Sequence, residues 1–234
     1  LPEKIMTDLF SLKNDILQWD VASWSVVLEY WENKVEWSKI NLGLELGARN
    51  GGLSLWMSLK GVNVICSDLH NPKVFAEQLH KKYKVNHKIT YQSIDATDIP
   101  YSHHFDIIVL KSVLGGVGRD NRLDLQAKVF HQIHKALRPG GIFLFAENLR
   151  ASPLHQWARK NFVKWGKEWR YMSISELKEL LNPFLLYDIQ VAGVMATFGR
   201  TERQRQILSK LDKYLLNHIC PNAWKYIAYG MAVK

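Results

Sequence analysis

From residue 41 onward the chain alternates between two hydrophobic rhythms. Compact apolar runs at 41–46, 63–68, 89–94, 105–110 and 142–147 read as strands. Between them, 53–59, 71–84 and 123–137 carry the wider apolar spacing of helices. Phe105-Asp106-Ile107-Ile108-Val109-Leu110 is the most apolar run, as a buried central strand should be. Gly61 and Arg138-Pro139-Gly140-Gly141 punctuate the pattern. Upstream, 5–39 is expected to be helical. Asp20 caps a second helix that sets Trp24, Val27, Leu28 and Trp31 on one core-facing side. After residue 150 the pattern loosens into an aromatic, basic stretch at 151–172. Ser173 and Glu176 form a capping-box pair opening a helix that ends near Leu181, before Pro183. A strand at 185–191, a charged amphipathic helix at 201–218 and a last, antiparallel strand at 223–233 complete the reading.

Strands alternating with helices in this way imply an α/β fold with a parallel, doubly wound sheet. Such sheets bind ligands at the carboxyl ends of their strands, near the point where strand order reverses. The chemistry is therefore expected in the loops after residues 46, 68, 94, 110 and 147. Length sharpens this: 234 residues with 47% hydrophobic content suit one domain able to bury a core without disulfide staples. Residues 1–40 read as an N-terminal helical cap and 41–234 as the main domain, with substrate-side insertions at about 151–172 and 195–222.

The two cysteines, Cys66 and Cys220, make neither a disulfide framework nor a metal-ligand spacing, so a reducing, cytoplasmic setting is the default. No run of about 18 apolar residues would span a bilayer. Residues 1–10 lack a signal-peptide pattern, and the missing initiator Met suggests a trimmed chain. The net charge of +9 invites a nucleic-acid reading, but its distribution is uneven. Residues 1–40 hold 4 basic and 7 acidic side chains, 41–149 hold 13 and 9, and 150–234 hold 14 and 6. The surplus thus lies mostly in the C-terminal third.

Candidate chemistry begins at Gly47-Ala48-Arg49-Asn50-Gly51-Gly52, a turn after a strand and before a helix. Glycines let the backbone approach a ligand closely, and a helix N-terminus offers free amides. The next strand ends in Asp68, an acid placed to accept both hydroxyl hydrogens of a ribose. Together they point to a nucleoside-bearing cofactor. The turn lacks the G-x-G-x-x-G order of a dinucleotide site and the Lys-Ser/Thr of a P-loop. Glu45, two residues before the first glycine, would repel a pyrophosphate and suits a ligand with an ammonium group.

Leu44-Glu45-Leu46-Gly47-Ala48-Arg49-Asn50-Gly51-Gly52 resembles the first motif of class I S-adenosylmethionine-dependent methyltransferases, with Arg49 where the family has its middle glycine. Ser67-Asp68-Leu69, Ser93-Ile94-Asp95-Ala96, Phe105 to Leu110, and Ala136-Leu137-Arg138-Pro139-Gly140-Gly141 resemble the next four motifs, in order. The resemblance implies a Rossmann-like sheet of seven strands, mostly parallel with an antiparallel last strand, flanked by N-terminal helices and a C-terminal helical lid. It implies S-adenosyl-L-methionine as cofactor and S-adenosyl-L-homocysteine as product. Gly47, Ala48, Arg49 and Gly51 would sit under its methionine and ribose, with Glu45 near the amino group. Asp68 and Leu69 would take the ribose side, and Asp95 and Ala96 the adenine. Lys111 and Ser112 would lie beside the methyl donor and the acceptor.

Single residues complete the reading. His155, after the fifth strand, is a candidate general base, with Lys111 the other catalytic candidate. His103, His104, His131 and His134 read as surface residues, and no metal site is expected. The segment 151–172, with Arg159, Lys160, Lys164, Lys167 and Arg170 against Glu168, reads as a lid favouring an anionic acceptor. The function expected is biosynthetic methyl transfer to oxygen or nitrogen of a small-molecule or glycan-type acceptor. An RNA or DNA methyltransferase is the alternative, disfavoured because Lys111-Ser112-Val113-Leu114 stands where an N/D-P-P-Y/F run would be. A non-catalytic partner keeping the fold is a third reading, prompted by Arg49. The oligomeric state is not legible.

Overall fold

The computed structural model describes residues 11–163 and 168–234. The strands are β1 (Leu42–Leu46), β2 (Asn63–Asp68), β3 (Ile89–Ser93), β4 (Phe105–Lys111), β5 (Leu137–Asn148), β6 (Leu186–Ala192) and β7 (Ile227–Val233). They form one sheet in the order β3-β2-β1-β4-β5-β7-β6. The first five pair in parallel, and β7 runs antiparallel between β5 and β6. The order reverses between β1 and β4, so a crevice opens at their carboxyl ends.

Both faces of the sheet are covered, as a parallel sheet requires. Side chains on β4 alternate: Ile107 and Val109 enter one core, Ile108 and Leu110 the other. The first core takes in α2 (Val21–Lys34) and α3 (Gly52–Leu59), followed in the chain by α4 (Lys73–Lys82). The second is closed by α6 (Leu123–Ala136) and α8 (Ile174–Leu181). Short α5 (Leu114–Val117) follows β4, α7 (Pro153–Phe162) follows β5, and α9 (Glu202–Leu211) precedes β7.

The N-terminal segment is built into the first core. Residues 11–17, helical and labelled α1, lead into α2. Trp24, Val27, Leu28 and Trp31 are all buried on the inner side of α2, and the Trp31 indole donates to the Gly230 carbonyl of β7 at 3.0 Å. Asp20 departs from expectation. It makes no side-chain cap; it takes a left-handed turn (φ 47°), and its carboxylate accepts the Tyr226 hydroxyl at 2.6 Å. A tertiary partner outcompeted the local amides.

Three other elements differ from the sequence reading. β5 begins at Leu137, the last residue of the expected helix, and runs through the expected turn, because Gly140 donates to the Lys234 carbonyl and Lys234 to that of Gly141, extending the ladder. The helix expected over 201–218 is α9 followed by a π-helical stretch at Asp212–Leu216 and α10 (Asn217–Ile219). There the buried Asp212 carboxylate accepts amides of Val194, Met195 and Ala196. The last strand begins at Ile227, after a 3-10 turn at Asn222–Trp224. Positions 5–10 and 164–167 of the expected elements lie outside the described residues.

Trp31 is fully buried and bonded to β7, so Trp31→Ala should leave a large cavity beneath the sheet. Urea unfolding should show a loss of about 3–5 kcal/mol.

Candidate active site

The β1–α3 loop is shaped by three left-handed residues, Gly47 (φ 65°), Arg49 (φ 51°) and Gly51 (φ 73°). Side chains are strained in that region. At Gly47 space forbids one as well, since an added Cβ would meet Val113 at 2.5 Å. The loop folds onto the end of β2: Ala48 donates to the Ser67 carbonyl at 2.8 Å, and Arg49 N–H to the Asp68 carboxylate at 2.8 Å. The other Asp68 oxygen accepts Leu69 N–H at 2.7 Å. Asp68 is therefore aimed at the mouth of the glycine turn, with Leu69 60% exposed beside it. Arg49 is exposed.

His80 holds the loop from below. It is fully buried, with Nε2 2.8 Å from the Gly51 carbonyl and Nδ1 2.8 Å from the Tyr91 hydroxyl. A carbonyl only accepts, so Nε2 carries the proton and Nδ1 accepts from Tyr91. Burial keeps the imidazole below its ordinary pKa and therefore neutral. No spacing in the sequence signals this contact.

Glu45 does something other than face an ammonium group. Its carboxylate accepts Leu53 N–H (3.2 Å), Ser54 N–H (2.7 Å) and the Ser54 hydroxyl (2.6 Å), in the first turn of α3. Burial pushes the carboxyl up to about 7, against those bonds. Glu147, near the end of β5, repeats the device. It accepts Val113 N–H at 2.6 Å and Leu114 N–H at 3.0 Å at the start of α5, and burial again raises it to about 7. Glu147 was missed by sequence reasoning, although an acid inside an apolar strand was its signal.

Lys111 ends β4 in the crevice, as expected, but its amine is engaged. Nζ donates to the Leu17 carbonyl at 3.0 Å and stands 4.7 Å from the centre of the Trp24 ring. Burial brings it down to about 8, offset by the fields of Glu147, Glu45 and Asp20. It ties the N-terminal segment across the strand ends rather than facing an open acceptor space. Ser112 follows in a left-handed conformation (φ 57°), its hydroxyl accepting from Asn148 at 3.0 Å. At the end of β3, Asp95 is exposed and one carboxylate oxygen accepts the amide and hydroxyl of Thr97, while Ala96 is buried.

His155 is placed against the expectation of a general base. It lies in the first turn of α7, 2% exposed, with Nδ1 2.7 Å from the Ser152 hydroxyl and its ring 4.7 Å from Phe198. Burial, with Arg159 adding to it, pushes its pKa down to about 4. Arg170 also differs from the expected free lid cation: it bonds Asn121, Gln126 and Glu176. Among the surface histidines, His103, His104 and His131 are exposed, whereas His134 is half-buried on Phe184.

Two cavities flank the crevice. One of about 540 Å³ lies between α1, the glycine loop and α4, reaching Asp15, Asn50 and Lys82. The other, about 480 Å³, lies beyond β4 and β5 and is lined by Arg150, Arg159, Trp169 and Tyr171 among others.

The strand order, the left-handed glycine turn and the acid ending β2 define a class I methyltransferase fold. Residues 44–145 match the family model of a methyltransferase domain. A search of curated proteins finds no match in sequence. Among solved structures, an S-adenosylmethionine-dependent methyltransferase of Thermotoga maritima, a possible histamine N-methyltransferase, is 16% identical with TM-score 0.60, over 94% of this chain and 95% of that one. Phosphoethanolamine N-methyltransferase 2 of Haemonchus contortus, solved with S-adenosyl-L-methionine, is 17% identical with TM-score 0.60. That match covers 90% of this chain but 52% of the other, so the chain spans about half its length. The [4+2]-cyclase SpnF is 15% identical with TM-score 0.55, over 83% and 74%.

Glu45 retains a proton in the fold, up to about pH 7, that an unfolded carboxyl releases near 4.5. Its stabilising share is full below pH 4.5 and is lost as pH rises to about 7, an effect of order 2–3 kcal/mol. Urea unfolding of Glu45→Gln at pH 5 and pH 7.5 should show a smaller difference than the parent protein. His155 has the opposite sign: its share is full above 6.5 and lost as pH falls to about 4. His155→Phe should flatten that acid limb in thermal melts, without shifting any inflection of a kcat/KM profile.

Proposed function

We propose that the chain transfers the methyl group of S-adenosyl-L-methionine to oxygen or nitrogen of an anionic small-molecule or glycan-type acceptor, as a biosynthetic enzyme of the cytoplasm. The observation carrying this reading is the coupling of the glycine turn to Asp68: one backbone bond, Arg49 N–H to Asp68, positions a carboxylate at the lip of a left-handed loop. That arrangement fits a ribose diol, since each carboxylate oxygen keeps a lone pair beyond its amide partner. Leu69 offers apolar surface beside it. Asp95, with an oxygen outside the Thr97 turn, and the amide of Ala96 suit a purine edge. Gly47 and Gly51 leave the loop without side chains where the cofactor's methionine part would pass, and Ser112 adds a turned backbone at the end of β4.

The bound cofactor would supply an electrophilic methyl on a sulfonium. The protein's part is alignment, because an in-line displacement gains much of its rate from holding the reactants in line. Glu45 and Glu147 serve by fixing the starts of α3 and α5, the two loops that face each other through Gly47 and Val113. Lys111, bonded to Leu17, closes the N-terminal segment over that meeting point and limits water. The nucleic-acid reading has less support, since Arg150 and Arg170 already share Glu176, and Arg205 pairs with Glu202.

Calorimetry with S-adenosylhomocysteine should show one-to-one binding. Asp68→Ala should weaken it at least tenfold, or by about 1.4 kcal/mol or more. An unchanged dissociation constant in Asp68→Ala, or an absence of binding in the parent protein, would overturn this assignment.

A further inference from the structure

The cavity beyond β4 and β5 holds a guanidinium that has no acid partner among the described residues. Arg159, on α7, donates to the Leu149 carbonyl at 2.6 Å and the Arg150 carbonyl at 3.3 Å, and its guanidinium carbon lies 4.0 Å from the centre of the Tyr171 ring. Among the described residues no carboxylate comes within ion-pair distance of it. Its neighbours differ: Arg150 is paired with Glu176 at 3.2 Å, and Arg170 with the other oxygen of the same Glu176. One carboxylate thus serves two arginines, and the third is left with carbonyl dipoles and an aromatic face. The two other acids bordering the cavity, Asp120 and Glu168, are exposed, and Glu168 faces Arg119 at 4.0 Å. A half-buried cation without a counter-charge is costly, and an anion entering beside it would recover that cost.

The placement relative to the proposed reaction is set by the fold. Trp169 packs on Gly115 and Gly116 of α5, where a Cβ on Gly115 would come 2.7 Å from its ring, and Arg170 N–H donates to the Gly115 carbonyl. Arg150 N–H donates to the Met172 carbonyl. The cavity is therefore walled by the loop that follows β4 on one side and the chain that follows β5 on the other. Those are the strand ends flanking Ser112, the side of the crevice away from Asp68. Burial lowers the Arg159 pKa from its ordinary value, and only the Tyr171 and Tyr226 hydroxyls oppose this.

We infer that this cavity is the acceptor subsite, taking a ring-bearing substrate whose carboxylate or phosphate pairs with Arg159 while its ring lies against Tyr171 and Trp169. The inference rests on the methyltransferase reading for its meaning and on the cavity for its geometry. A volume of about 480 Å³ accommodates a small ring compound, within the usual range of ligand pockets. Arg159 is a binding residue in this scheme; no proton moves through it.

The test uses the full chain saturated with S-adenosylhomocysteine, titrated calorimetrically with benzoate, phenyl phosphate, benzamide and inorganic phosphate. Benzoate or phenyl phosphate should bind at least tenfold more tightly than the neutral benzamide, and whichever is tighter identifies the oxyanion as carboxylate or phosphate. Arg159→Gln should weaken that anion at least tenfold and leave the S-adenosylhomocysteine dissociation constant within twofold. Tyr171→Leu should bring phenyl phosphate down to the level of inorganic phosphate. Benzamide binding as tightly as benzoate and phenyl phosphate, or full retention of the anions by Arg159→Gln, would overturn the inference. If Arg159→Gln does not fold, the parent comparison and Tyr171→Leu decide it. If S-adenosylhomocysteine does not bind, the proposed function fails instead, and the same anion titrations on the chain alone still decide the subsite.

Discussion

Two carboxylates buried in an apolar sheet need hydrogen-bond donors, and the nearest are the free amides at the start of a helix. Glu45 on β1 reaches the first turn of α3, and Glu147 on β5 reaches the first turn of α5. Each acid ties the end of a strand to a helix that begins beyond a loop. The loops so clamped are those that border the crevice. The position of the glycine turn relative to β4 is therefore a consequence of satisfying two buried acids. Both carboxyls are raised to about 7, which measures how far burial outweighs the amide bonds.

The same economy of polar groups organises the N-terminal segment. Asp20, fully buried, is met by the Tyr226 hydroxyl, Lys111 by the Leu17 carbonyl, and Trp31 by the Gly230 carbonyl. At Gly52 the fit is so close that any side chain would run into the Ile16 carbonyl. Residues 11–34 are therefore part of the wall of the crevice and share a core with β2, β4, β5 and β7. Asp212 plays the matching part at the far edge, where its carboxylate gathers three amides of the β6–β7 connection.

Among the arginines at the cavity beyond β5, Arg159 differs from its neighbours. The aromatic and basic residues after β5 look alike in sequence, yet they do different work. Arg150 and Arg170 are structural, held by Glu176 at the capping box of α8. Arg159 has only carbonyls and a ring. Around this cavity the basic residues thus divide into two arginines paired with one acid and one half-buried guanidinium without an acid partner.

Local pattern was enough for the layered α/β architecture. Alternating strand and helix periods, Gly47 through Gly52, Asp68 at a strand end and the Ser173–Glu176 box all act through neighbouring residues, and β1 to β4 and the box lie where that pattern sets them. The motifs also carried the resemblance to a methyltransferase domain, because a left-handed turn demands particular residues at particular positions. Long-range partnership is what the sequence could not show. Asp20 and Tyr226 are 206 positions apart, Lys111 and Leu17 are 94, and Glu147 and Val113 are 34. Whether a buried His155 is a base or a core residue, and whether an arginine is paired or free, depends on which distant groups reach it. Burial and hydrogen-bond competition settle that only when the sheet has brought those segments together.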